Sequence, residues 1–233
     1  AFNRVVETGE YQSSSISNFT QTNADNTSFP TSGQIWDKTF SYDIPSTDFL
    51  AAGQRNVAGK VAVANSYNKG SWIWTTFYSY DDFGRVEWVV QKNTWGKAWK
   101  ITYFYDMQGR VTKKSFADSY NGYNLYTYYE YDQLGRLTKV STNEVDNQTG
   151  AAKEAEYTYT ATGKVKQLKL GNTAQTVDYT YNERDWLTKI NKLADLTRKF
   201  REEISYNTGS LNGTTPHNGN ISTIKYFTAS LQG

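Results

Sequence analysis

Tyr80-Asp81-Asp82-Phe83-Gly84-Arg85-Val86 recurs as Tyr105-Asp106-Met107-Gln108-Gly109-Arg110-Val111 and Tyr131-Asp132-Gln133-Leu134-Gly135-Arg136-Leu137. It returns more loosely as Tyr159-Thr160-Ala161-Thr162-Gly163-Lys164-Val165 and Tyr181-Asn182-Glu183-Arg184-Asp185-Trp186-Leu187. The Tyr-to-Tyr steps are 25, 26, 28 and 22 residues. A near-constant period of this size marks a repeat architecture, in which each unit buries its apolar face against its neighbours. Asp at the first and Gly at the fourth place of a four-residue segment suit a type I turn, and a Gly with positive φ behind it makes a bulged hairpin. Positive φ is therefore expected at Gly84, Gly109 and Gly135, and Gly163 marks a fourth turn. Asp185 is expected to hold the same conformation under strain, since Asp tolerates the left-handed region better than most residues.

Working outward, the flanks of each turn read as strands. Before Tyr181, the residues Val177, Tyr179 and Tyr181 share one face and Thr176, Asp178 and Thr180 the other, which predicts a half-exposed strand. Before Tyr131, large groups fall on both faces at Leu125, Tyr126, Tyr128, Tyr129 and Tyr131, which predicts a strand covered on both sides. Residues 1–34 are rich in Ser, Thr and Asn, lack the phrase, and are expected to form an irregular lead-in. From Ile35 a degenerate first unit begins, its turn expanded into a loop between Asp43 and Gly59. Residues 35–233 are then expected to form about six repeat units in one structural unit. Leu193, Leu196, Phe200 and Ile204 also sit at helical spacing, but Phe200, Ile204 and Tyr206 share strand parity and keep the period, which favours a strand at about 200–206. Asn207 to Gly219 reads as a loop, and a strand from Ile221 to Thr228 follows it.

Composition agrees with an all-β fold: 16% of the 233 residues are aromatic, including nineteen Tyr and seven Trp, types that favour pleated, half-buried surfaces. A formal charge of +2 is too small to imply nucleic acid as the main partner. No run of 18 apolar residues and no secretory signal pattern is present, so direct membrane insertion is not expected. The absence of cysteine excludes disulfides, thiolate metal sites and a Cys nucleophile. The opening at Ala1 and the close at Gly233, soon after a strand, are expected of a piece of something longer.

Three constellations bear on function. Asp81, Asp106 and Asp132 with Arg85, Arg110 and Arg136 are expected to pair along the sheet edge; this is an anion-binding stripe on one reading and self-capping turns on the other, the second being favoured because Asp caps its own turn. Trp72, Trp74, Trp88, Trp95 and Trp99 cluster within one repeat and its neighbour. Exposed, they form a ligand-binding platform for sugar rings or a protein surface; buried, they are core beneath the lead-in, and the shared parity of Trp72, Trp74, Tyr78 and Tyr80 favours a packed face. Catalysis has less to stand on. His217 is the only histidine and lies in a Pro- and Gly-flanked loop. Glu154 and Glu156 share a strand face as paired glycosidase acids might, but working carboxylates usually face each other across a cleft. Glu202 and Glu203 point to opposite faces. Neither a cofactor nor a metal motif is present.

The Tyr-Asp-x-x-Gly-Arg-Val/Leu phrase resembles the YD repeat of the rearrangement hotspot (Rhs) family, also found in insecticidal toxin-complex subunits and in teneurins. The stretch from Tyr159 to Asn191, with Gly163-Lys164-Val165-Lys166, Leu170-Gly171-Asn172 and Val177-Asp178-Tyr179, is similar to the large exported Rhs proteins of Bacteroidetes. The resemblance spans about residues 35–228. It implies tandem β-hairpins in a curved, twisted antiparallel strip, a partial Rhs shell that five or six units leave unclosed. It implies a non-enzymatic structural segment of an exported or cell-surface bacterial protein, part of a β-shell that encloses or displays a C-terminal effector. The implied partners are the rest of the parent polypeptide and that effector. A carbohydrate- or protein-binding module using the Trp-rich face is the alternative, and a glycoside hydrolase-like enzyme a further one. Thr160 in place of Asp, Asp185 in place of Gly and Trp186 in place of Arg depart from the pattern and argue against a strictly repeated role for the Arg.

Overall fold

Alternating aromatic and β-branched residues between the Gly-bearing turns form strands along the chain. The computed structural model describes residues 4–11, 20, 22, 34–172, 174–207 and 219–228. Its strands are β1 Glu7–Tyr11, β2 Gln34–Tyr42, β3 Val61–Asn68, β4 Ser71–Tyr80, β5 Val86–Asn93, β6 Ala98–Tyr105, β7 Val111–Asp118 and β8 Tyr123–Tyr131. They continue as β9 Leu137–Asn143, β10 Ala152–Tyr159, β11 Val165–Leu170, β12 Gln175–Tyr181, β13 Leu187–Ile190, β14 Phe200–Tyr206 and β15 Ile221–Thr228. The hydrogen-bonded order follows the chain from β1 to β15, so the described residues form an open, all-β antiparallel sheet of 15 strands. Every connection joins sequence neighbours, as hairpins require.

Two compact units divide the described chain: one runs to Tyr126 and includes Glu144–Asp146, the other takes Thr127–Asn143 and continues from Asn147. A hairpin array holds together through nearest neighbours rather than one shared core. Glu7–Tyr11 pairs with β2. Arg4 forms a bidentate pair with Asp43 at 3.0 and 2.5 Å, and the Tyr42 hydroxyl donates to the Val5 carbonyl at 2.6 Å.

In the first unit the core lies on one face of β3–β5. Ala51, Phe77, Trp88 and Val90 are buried together, with Leu50 and Val63 packed against them. Register explains the grouping: Val63 opposes Phe77, which opposes Val90, while Trp88 opposes Ser79. The cover is the expanded turn of the first unit, whose 3-10 turn Phe49–Ala51 is capped by the Asp48 carboxylate. The β3–β4 ladder runs only to Val63 opposite Phe77. Beyond it Gln54 spans the strands, its amide donating to the Ala62 and Tyr78 carbonyls at 2.7 Å each and its side-chain oxygen accepting from the Ser46 amide.

The second unit carries a polar face and an apolar one. Glu156, Lys169, Gln167, Asp178, Lys189 and Glu203 alternate with Tyr157, Leu168, Val177, Tyr179 and Ile190. Cross-strand pairs such as Lys169–Glu156 and Lys189–Glu203 line the polar side. β14 occupies Phe200–Tyr206, where strand parity competes with helical spacing.

Candidate functional site

The turns are built from their own residues. In the turn of Asp81 the Gly84 amide donates to the Asp81 carbonyl and the Asp81 amide to the Arg85 carbonyl, both at 2.9 Å. The Asp81 carboxylate accepts from the Phe83 and Arg85 amides and pairs with the Arg85 guanidinium at 2.6 Å. Asp106 with Arg110, and Asp132 with Arg136, repeat this at 2.6 and 2.7 Å. The carboxylates of Asp81, Asp106 and Asp132 all lie below their ordinary range; for Asp132 the Arg136 amide is the leading cause, and for the other two the amides and guanidinium outweigh a desolvation cost. Each Arg meets the Asp of its own turn. Positive φ occurs at Gly84, Gly109, Gly135 and Gly163, at 81°, 84°, 80° and 88°, and at Asp185, at 59°. Asp185 accepts a hydrogen bond from the Thr162 hydroxyl of the preceding turn at 2.8 Å.

A longer-range device joins one unit to the next. At five junctions the hydroxyl of a Tyr that opens a turn reaches back to the carbonyl of the residue that closes the preceding one: Tyr80 to Val61, Tyr105 to Val86, Tyr159 to Leu137, Tyr181 to Val165 and Tyr206 to Leu187, at 2.5–2.9 Å. Over several of these Tyr rings lies the residue after the turn glycine of the preceding unit. Lys60 sits 4.6 Å from the Tyr80 ring, Arg85 4.3 Å from Tyr105 and Arg136 4.5 Å from Tyr159. Trp186, in the Arg position, packs on Tyr206 with ring centroids 4.9 Å apart and planes tilted at 48°. Burial pushes the Tyr80, Tyr105, Tyr159 and Tyr181 phenols up, which keeps them protonated donors. Sequence reasoning missed this link, although the Tyr at constant spacing from Arg and Val was its visible trace.

The five candidate tryptophans divide. Trp88, 6% exposed, belongs to the core beneath the loop carrying Leu50 and Ala51, not beneath the lead-in. The fully buried residues of β4 are Thr75, Phe77 and Ser79, on the face opposite the one expected to pack, because that loop covers the odd-numbered side. A bulge at Ile73 breaks the parity of Trp72 with Trp74, since Trp72 opposes Tyr67 and Trp74 opposes Ser66. The Trp72 indole instead donates to the Thr75 hydroxyl at 2.9 Å. Trp95 stands on a turn at 77% exposure. Trp74 and Trp99 come together with ring centroids 5.6 Å apart and planes at 47°. Thr76, Val89, Gln91, Ile101 and Phe116 complete a groove of about 400 Å³ around them.

No family model matches the sequence, and no curated protein does. Among solved structures the chain is similar to the crystal structure of TcdB2-TccC3 without its hypervariable C-terminal region. The TM-score is 0.52 and the identity 14%, over 73% of this chain and 10% of that one. The likeness is one of fold. The chain spans about a tenth of that neighbour's length. It also matches a porin-like protein from Bacteroides uniformis (TM-score 0.38, 11% identity, 83% of this chain and 77% of that one) and the Photorhabdus luminescens Tc holotoxin pore (TM-score 0.20, 13% identity, 73% and 13%).

The acids offer less than the aromatics. Glu156 pairs with Lys153 at 2.9 Å and lies below its ordinary range, first because of that bond. Glu154 occupies a bulge between Lys153 and Ala155 and accepts from the Thr142 hydroxyl. A polar groove of about 490 Å³ in the second unit is lined by Asp178 and Asp195, both tied to Arg198 at 3.2 and 3.3 Å. Asp195 lies below its ordinary range, chiefly through the Thr197 hydroxyl, whereas a glycosidase general acid needs the opposite shift. Glu203 pairs with Lys189. His217 lies outside the described residues. Among the described residues no group of three His, Cys, Asp or Glu side chains is arranged to hold a metal.

Proposed function

We propose that the chain is a non-enzymatic structural segment: a stretch of YD-repeat wall from a large exported Rhs-type bacterial protein that encloses or displays a C-terminal effector. The observation that carries this reading is the hydroxyl-to-carbonyl link repeated at five junctions. Each junction adds a hairpin by the same local contacts. A sheet so built extends by addition of units, as a wall must, without any unit needing a distant one. The phrase that resembles the YD repeat supplies the residues of that junction, and the fold likeness to TcdB2-TccC3 is compatible with it. On this reading the partners are the remaining parent polypeptide and its effector, and the location is extracellular or at the bacterial surface.

Limited proteolysis of the intact parent polypeptide tests the proposal. The effector is expected to resist cleavage in the parent and to be cut rapidly when expressed alone. Equal rates of cleavage in the two forms would overturn enclosure, and an effector lying on the surface would leave display as the role.

A further inference from the structure

We propose that the groove between Trp74 and Trp99 on the β4–β7 face is a binding site for a neutral carbohydrate. The register assembles it: Trp74 and Thr76 on β4, Val89 and Gln91 on β5, Trp99 and Ile101 on β6 and Phe116 on β7 all point to the side away from the Phe77 core. About 400 Å³ lies within the roughly 300–1,000 Å³ of small-molecule sites. The indoles are tilted rather than stacked, at 47° with centroids 5.6 Å apart, and the two half-buried rings form a V. The C–H face of a pyranose is the complement of such a surface, being apolar, flat and weakly positive at its hydrogens.

The polar lining selects the ligand further. No charged side chain lines the groove. An ionised sugar would lose hydration there without gaining a counter-charge, so the lining favours a neutral one. Gln91 is exposed and its amide makes only a 3.5 Å contact with the Thr76 hydroxyl. Both groups can donate to and accept from sugar hydroxyls at the rim of the V, while the apolar floor holds the ring. Trp99 is half-buried, with Gln91 and Asp118 opposite it on the two neighbouring strands and the Trp74 ring against it. A platform fixed before binding loses little side-chain freedom on complex formation.

The test is titration of the chain with neutral oligosaccharides of glucose, xylose and N-acetylglucosamine, followed by tryptophan fluorescence and calorimetry, with a sulfated polysaccharide as the charged control. Saturable binding of at least one neutral series with a shifted emission is expected. Trp99→Ala is expected to weaken it by about tenfold or more, and the rim variant Gln91→Ala, which leaves the aromatic floor intact, by about tenfold. Trp95→Ala, outside the groove, should leave affinity unchanged. Absence of saturable binding to every neutral series, binding that survives Trp99→Ala in a folded variant, or preference for the sulfated polymer would each overturn the proposal. So would a concentration-dependent dimer abolished by Gln91→Arg, since the groove would then be an interface between copies. None of these outcomes depends on whether the chain forms a wall around an effector.

Discussion

The Tyr105 hydroxyl donates to the Val86 carbonyl at 2.7 Å, so the residue that opens one turn is tied to the residue that closed the turn before it. The bond spans 19 residues of sequence but only neighbouring strands of the sheet. With Arg85 over the same ring, this unit is fastened to its predecessor by one hydrogen bond and one cation–π contact. Tyr105→Phe removes the bond and keeps the ring. A loss of about 1 kcal/mol in urea unfolding is expected, at unchanged m-value. Tyr123→Phe, at an exposed strand end, should cost less than half of that. Equal losses at the two positions would show that the hydroxyl link contributes nothing specific.

Gln54 carries a heavier share. Its side chain satisfies the Ala62 and Tyr78 carbonyls and the Ser46 amide at the point where the β3–β4 ladder stops. Gln54→Leu fills the volume but leaves those groups without a partner, and is expected to cost about 2–4 kcal/mol. Because the same loop covers Trp88, a red shift of tryptophan emission should accompany the loss. Unchanged emission with reduced stability would show that the loop stays seated without Gln54.

What was legible in the sequence follows from distance along the chain. Turn residues act within five positions of one another, so Asp81, Gly84 and Arg85 declare their roles through spacing alone. Strand parity is also local, which is why Phe200–Tyr206 and Ile221–Thr228 read as strands. The cover over Trp88 was not legible. The loop between Asp43 and Gly59 has no periodicity to follow, and its contacts with Phe77, Trp88 and Val90 cross tens of residues. Parity failed at Trp72 for a different reason: one bulged residue, Ile73, reverses the alternation, and nothing in Trp72-Ile73-Trp74 announces a bulge.

The lowered carboxylates give a signed pH dependence. The folded pKa of Asp132 lies below its unfolded value, so its contribution is present above the ordinary carboxylate range and is lost as pH falls through the folded pKa. Asp81 and Asp106 act in the same direction. Urea midpoints are therefore expected to drop as pH is lowered from about 5 towards 2. Asp132→Asn should flatten part of that dependence while keeping the turn, because Asn182 already serves in this place, its side-chain oxygen accepting from the Arg184 and Trp186 amides at 2.9 and 3.0 Å. An acid dependence identical to that of the parent chain would assign the sensitivity to other carboxylates.

The fifth turn tests whether stacking or charge is the property the repeat keeps. Trp186 replaces the usual Arg, yet its ring meets the Tyr206 ring as the Arg85 guanidinium meets that of Tyr105, and it lies against Gly219, where an added Cβ would stand 3.0 Å from the indole. Trp186→Ala removes a half-buried ring and its partner contact, and is expected to cost about 2 kcal/mol. Trp186→Arg restores the residue of the other turns, and Asn182 is neutral where Asp132 is charged, so the guanidinium would gain the Tyr206 ring but no carboxylate of its own turn. About 1 kcal/mol or less is expected for that change, since a planar cation over an aromatic face recovers much of the lost contact. If Trp186→Arg is as destabilising as Trp186→Ala, a flat group over the next Tyr is not what the position requires. The contact with Gly219 would then carry the stability, and Gly219→Ala, which presses on the same indole, should reproduce the loss.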